Sequence, residues 1–127
     1  MLGTLPAEVQ NQPAPSIAVL SGDPTNEGSL FVLWIKTPAG FRVAPHWHPT
    51  DEHITAIRGK SCLGIGDRFD ESACHDVPVG AYAFMPKGMH HFAMSKEENI
   101  GQVHGIGPFK VIWVSPEITP TKPDQER

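Results

Sequence analysis

The chain has 127 residues, a formal net charge of −4, and 39% apolar against 19% charged residues. This composition specifies one folded domain and excludes a disordered tail. The ten Lys and Arg, never two in a row, exclude a basic surface for nucleic acid or anionic membrane, and no apolar run approaches the ~18 residues of a membrane span. Twelve glycines and thirteen prolines predict frequent turns and no long helix.

In sequence order, residues 1–16 are Pro-rich (Pro6, Pro13, Pro15) and read as an extended arm that could lie across a partner subunit. The barrel follows over 17–115. Ile17 to Leu20 reads as a short strand, and GDPTNEG at Gly22 to Gly28 as a turn cluster. Leu30 to Lys36 (LFVLWIK) is the strongest strand signal, β-branched and aromatic throughout. Further short strands are expected at Phe41 to Trp47, His53 to Arg58 and Ser61 to Ile65, then a long polar loop over Gly66 to Val79. Ala81 to Met85, His90 to Met94, Gly101 to Ile106 and Lys110 to Val114 complete the set, and 116–127 reads as a polar tail. No segment carries a 3.6-residue apolar stripe, so the class is all-β, a barrel or sandwich.

Cys62 and Cys74 are twelve apart with no CxxC. They read as two reduced thiols, with one disulfide as the alternative if the protein is exported. The N-terminus has neither a charged n-region nor an apolar h-region, which favours a cytoplasmic protein over an exported one already trimmed.

The chemistry concentrates in four residues. His46 and His48, one residue apart, fall on one face of a strand, with Trp47 on the other. Glu52 follows after Pro49-Thr50 bends the backbone, and His91 comes after the Pro86-Lys87-Gly88 turn. Imidazole and carboxylate suit iron, manganese, nickel, copper or zinc. Four such ligands on a six-coordinate ion leave positions open for substrate, the pattern of a catalytic site.

The stretch Gly40-x5-His46-x-His48-x3-Glu52-x6-Gly59 resembles the first cupin motif, and Gly80-x5-Pro86-x-Gly88-x2-His91 resembles the second. The second motif usually ends in Asn, where this sequence has Ser95; that Asn is not a ligand in the family. HWHPTDEH, GMHHFA and QVHGIGP are similar to small bacterial cupins. The resemblance implies a double-stranded β-helix, or jelly-roll barrel, with one divalent transition metal held by His46, His48, Glu52 and His91. It also implies a homodimer.

Beside the ligands, His53 and His90 are expected to face away from the site by alternation, and His75 to be solvated in the long loop. Gln102 and His104 share a strand face and are candidates to line the pocket. Arg42 shares parity with His46 and could offer a carboxylate a bidentate fork. Trp34, Phe31, Phe84, Phe92 and Trp113 read as packing, Tyr82 as an outside candidate for a base, and Asp67, Asp70, Glu71 and Asp76 as a solvated acidic loop. The reading that unites these features is a mononuclear metalloenzyme on a small organic molecule, foremost an iron dioxygenase. The alternatives are a Lewis-acid isomerase or lyase, and a non-enzymatic metal- or ligand-sensing module.

Overall fold

Short β-branched and aromatic runs, each closed by Gly, Pro or Asp, become strands wherever one face can be buried. A computed structural model describes residues 13–114; the expectations for the outer part of the arm and for the tail lie outside the described residues. Ten strands result: β1 (Ser16–Gly22), β2 (Leu30–Thr37), β3 (Arg42–Trp47), β4 (Glu52–Arg58), β5 (Ser61–Ile65), β6 (His75–Val77), β7 (Tyr82–Met85), β8 (His91–Ser95), β9 (Asn99–Ile106) and β10 (Ile112–Trp113). They form two five-stranded antiparallel sheets, β1-β2-β9-β4-β7 and β10-β3-β8-β5-β6. The predicted strands reappear within a few residues of their expected ends.

The sheets face each other, and their inner faces hold the core. Phe31, Leu33, Val103 and Phe109 form one buried cluster, with Ile35 and Ile54 against it; Phe41, Ala44 and Trp113 form another. The turns that feed the inner strands require glycine. Gly59 has φ 82°, and a Cβ there would lie 2.2 Å from the Glu98 carbonyl oxygen. Gly88 has φ 81° and donates its N–H to the His48 carbonyl at 2.9 Å, so the turn before His91 is bonded to the other motif.

The segment 66–79 departs from the expected loop. Asp70 caps a single 3-10 turn, Glu71–Ala73, and β6 then pairs with β5. Cys62, fully buried on β5, forms a disulfide with Cys74, which corrects the reading of two reduced thiols. The segment therefore straps the outer face of the second sheet. Phe69 packs on Phe92 at 5.1 Å between centroids, and Arg42 lies over the Phe69 ring at 5.0 Å while reaching Glu71. Gly64 makes room beneath, since a Cβ there would stand 2.1 Å from the Phe92 ring.

The cross-link closes a short loop, and the chain-entropy account assigns such a loop about 3 kcal/mol of stability. Cys62→Ser/Cys74→Ser should lower the unfolding free energy in urea by that order, with the strands retained. An unchanged midpoint would show that the strap is held by its aromatic contacts alone.

Candidate metal centre

Two of the motif histidines, His46 and His91, enter the space between the sheets from paired strands, and His48 enters just beyond the end of β3. His46 on β3 is the register partner of His91 on β8, and Trp113 on β10 is the next partner of His46. His48 follows two residues on, and Glu52 opens β4 in the opposite sheet. All four are buried, at 2–6% exposure.

Their orientation is set by the backbone. His46 Nδ1 lies 2.8 Å from the Ala44 carbonyl, His48 Nδ1 2.7 Å from that of Lys110, and His91 Nδ1 3.0 Å from that of Met89. A carbonyl only accepts, so each Nδ1 carries the proton and donates it. With Nδ1 so engaged, Nε2 is the nitrogen that each ring turns inward. The three ligand nitrogens lie within 4.8 Å of one another. Glu52 Oε1 stands 3.0 Å from His48 Nε2 and 3.3 Å from His91 Nε2.

Lone pairs and a carboxylate converging in a dry interior repel unless a cation is shared. The buried groups shift one another in opposite directions. Burial first, and then the neighbouring imidazoles, push His46 down to about 3. Burial also disfavours a charged His48, but contact with Glu52 outweighs it and raises His48. Burial works to raise Glu52, yet His48 and His91 hold it well below the usual carboxylate range. His48 Nε2 and Glu52 Oε1 are both buried without a well-formed hydrogen bond among the described residues, although they nearly touch. Orphaned acceptors on a histidine and a carboxylate, aimed at one point, fit a divalent transition metal. Their carbonyl-bonded Nδ1–H groups are the outer support that metal-bound histidines use.

The ion position would lie at one end of a cavity of about 380 Å³. Phe109 stacks on His48 at 5.0 Å and Trp113 meets His46 edge-on at 5.4 Å, so two aromatic rings back the ligands. Apolar side chains of both sheets line the middle, among them Ile35, Val43, Ile54, Leu63, Ala93 and Val103. Ala14 and Pro15, the described end of the N-terminal arm, also line it. The role of Trp113 went beyond the packing expected of it: its buried Nε1 has no hydrogen-bond partner among the described residues. Its aromatic character was visible in the sequence, but its pairing with His46 was not.

Three of the pocket candidates are misplaced. Arg42 points outward to Glu71 and Phe69, because the β3–β8 register shifts between Val43 and His46. That irregularity breaks the parity linking Arg42 to the ligands. Gln102 and His104 lie on the outer face of β9. Gln102 accepts a hydrogen bond from Trp34 Nε1 at 2.9 Å, and His104 stacks on His53 at 4.7 Å and 10°. The inward residues of β9 are Asn99, Gly101, Val103 and Gly105, and two glycines left no apolar alternation to read. His53 and His90 face away as expected: His53 meets the Tyr82 hydroxyl at 2.6 Å, while His90 pairs with Asp67 and stacks on Trp47. Tyr82 therefore lies outside the site.

The sequence matches no protein-family model and no curated protein. Solved structures nevertheless share the fold. A cupin-2 domain protein from Shewanella frigidimarina NCIMB 400 superposes with a TM-score of 0.57 at 20% identity, over 72% of this protein and 80% of its own length. A double-stranded β-helix protein from Klebsiella pneumoniae MGH 78578 gives 0.58 at 21%, over 79% and 86%. DMSP lyase DddQ from Ruegeria pomeroyi DSS-3 gives 0.69 at 19%, over 89% of this protein but only 57% of its own length. These likenesses show the fold, a double-stranded β-helix of the kind found in cupin proteins, and within it three histidines lie close enough together to hold a metal.

Removing one inward lone pair should empty the site, whereas removing an outward imidazole should not. His48→Ala is expected to lose most bound metal by elemental analysis, and His53→Ala to keep it. Equal metal content in the two variants would refute the assignment.

Proposed function

We propose that the protein is a mononuclear metal-dependent cupin enzyme acting on a small organic substrate, foremost an iron dioxygenase. The observation that carries the reading is the gathering of three histidine nitrogens on the wall of an apolar cavity, with the Glu52 carboxylate 3.0 and 3.3 Å from two of them. An iron ion held by His46, His48, Glu52 and His91 would supply dioxygen activation beside a bound substrate. The protein's own contribution is to fix the ligand tautomers through Ala44, Lys110 and Met89, and to exclude water with Phe109, Trp113 and the apolar walls.

The test is oxygen uptake by iron-loaded protein with catechols and β-diketones, in which a carbon–carbon bond would break as both oxygen atoms enter the products. Turnover with a member of either class is expected. Outer-shell partners of metal ligands contribute roughly 10–100-fold, so Glu52→Gln, a ligand change, should cost at least about that much. Metal binding without oxygen uptake would favour a Lewis-acid enzyme or a metal-sensing module instead.

The same reading includes a homodimer. Most large exposed apolar side chains belong to the first sheet: Ile17, Val19, Leu20, Leu30, Tyr82, Phe84 and Ile106. Across that sheet, the outward rows Ala18–Trp34–Gln102–Thr55–Tyr82 and Val32–His104–His53–Phe84 hold no carboxylate, lysine or arginine. Those two rows could meet their own copy without charge repulsion, while the neighbouring row carries the exposed Lys36 and Arg58 and would lie at the edge of such a contact. Phe84→Glu should shift the sedimentation coefficient from dimer to monomer, and a wild-type monomer would overturn this part.

The disulfide supports the exported alternative over a reducing cytoplasm. Among the described residues, no helix is long and apolar enough to cross a membrane.

A further inference from the structure

Resting on the metal-site reading above, we propose that the cavity takes an uncharged, largely apolar molecule that is gripped at both ends. Its metal-binding oxygen sits at the histidine end, and a hydroxyl at the other end is held by Thr37, Ser61, Ser95 and Asn99.

The cavity is polar only at its two ends. On β8, Ser95 lies four residues beyond His91, about 13 Å along the strand. Its register partner across to β5 is Ser61. On the facing sheet, Thr37 at the end of β2 pairs with Asn99 at the start of β9. All four line the cavity, and Thr37, Ser95 and Asn99 are buried at 8%, 5% and 8% exposure.

Two strands from each sheet thus bring a neutral polar ring to the end opposite the ligands. The Asn99 amide nitrogen is already committed, donating to the Glu97 carbonyl at 3.1 Å and toward that of Lys60 at 3.5 Å. That leaves Oδ1 as its open acceptor. Thr37, Ser61 and Ser95 bring three hydroxyl-bearing side chains to the same stretch of the cavity lining. A ring of hydroxyls beside an amide acceptor suits a ligand group that both donates and accepts.

Charge decides the class. Apart from the metal ligands, no Lys, Arg, Asp or Glu lines the cavity among the described residues. A carboxylate, phosphate or ammonium on the distal end would meet no counter-charge on the described lining. A hydroxyl satisfies the ring, and the carbon skeleton between the ends lies against Ile35, Val43, Ile54, Leu63 and Ala93.

The experiment uses hydroxamic acids as metal-binding probes, titrated calorimetrically into zinc-loaded protein. Acetohydroxamic acid reads the metal end alone. Hexanohydroxamic, 6-hydroxyhexanohydroxamic and 5-carboxypentanohydroxamic acids carry a methyl, a hydroxyl and a carboxylate to the distal end. The hydroxyl probe should bind at least about tenfold more tightly than the carboxylate probe, as expected when a charge is left unpaired in an apolar site. In Thr37→Val/Ser95→Ala, the advantage of hydroxyl over methyl should vanish while acetohydroxamic acid binds unchanged. Equal binding of hydroxyl and carboxylate probes to the wild-type protein would overturn the inference with the metal site intact. Failure of acetohydroxamic acid to bind at all would overturn the metal-site reading, and this inference with it.

Discussion

Three imidazole lone pairs and one carboxylate point at the same small volume in a water-poor interior. Left to themselves they are ill matched: His46 is pushed toward its neutral form while His48 is drawn to Glu52, and the interior offers little solvent to screen them. The arrangement is sustained by the backbone: each ring is tied through Nδ1 to a carbonyl that leaves Nε2 no direction but inward. One of those carbonyls belongs to Lys110, far along the sequence, so closing the barrel and orienting His48 are a single event. A shared cation would satisfy these groups together and tie β3, β8 and β4 across the two sheets.

The remainder of the fold serves that volume. Antiparallel pairing of β3 with β8 sets His46 beside His91, and the Gly88 turn, bonded to the His48 carbonyl, fixes where β8 begins. The inner faces supply a dry wall of aliphatic side chains, and the outer face of the second sheet is strapped by the 66–79 segment and its disulfide. A cavity polar at both ends and apolar between discriminates by charge before it discriminates by shape.

Much of this was legible in the residues. The alternation rule placed His46 and His48 together and sent Trp47, His53 and His90 outward, because side chains of a regular strand have only two directions. Rigid turns at Gly59 and Gly88 were legible for the same reason, since few residues accept positive φ. Arg42 shows where parity fails: a register shift of the kind seen before His46 moves every earlier residue to the other face, and no local composition announces it. Gln102 and His104 show a second limit. With glycine at 101 and 105, β9 carries one inward apolar residue, Val103, too little to establish its facing. The Cys62–Cys74 bond was open in the sequence because pairing depends on the return of β6 to β5, a tertiary fact hidden in a polar stretch. The far polar ring was invisible for a similar reason, being assembled from four separate strands.

The most direct test of the central claim is anomalous diffraction from crystals of the metal-loaded protein, collected above and below the absorption edge of the metal. A single peak within bonding distance of Nε2 of His46, His48 and His91 and of a Glu52 oxygen is predicted. A peak elsewhere, such as the outward His53–His104 pair, or no peak in protein carrying a stoichiometric ion, would contradict it.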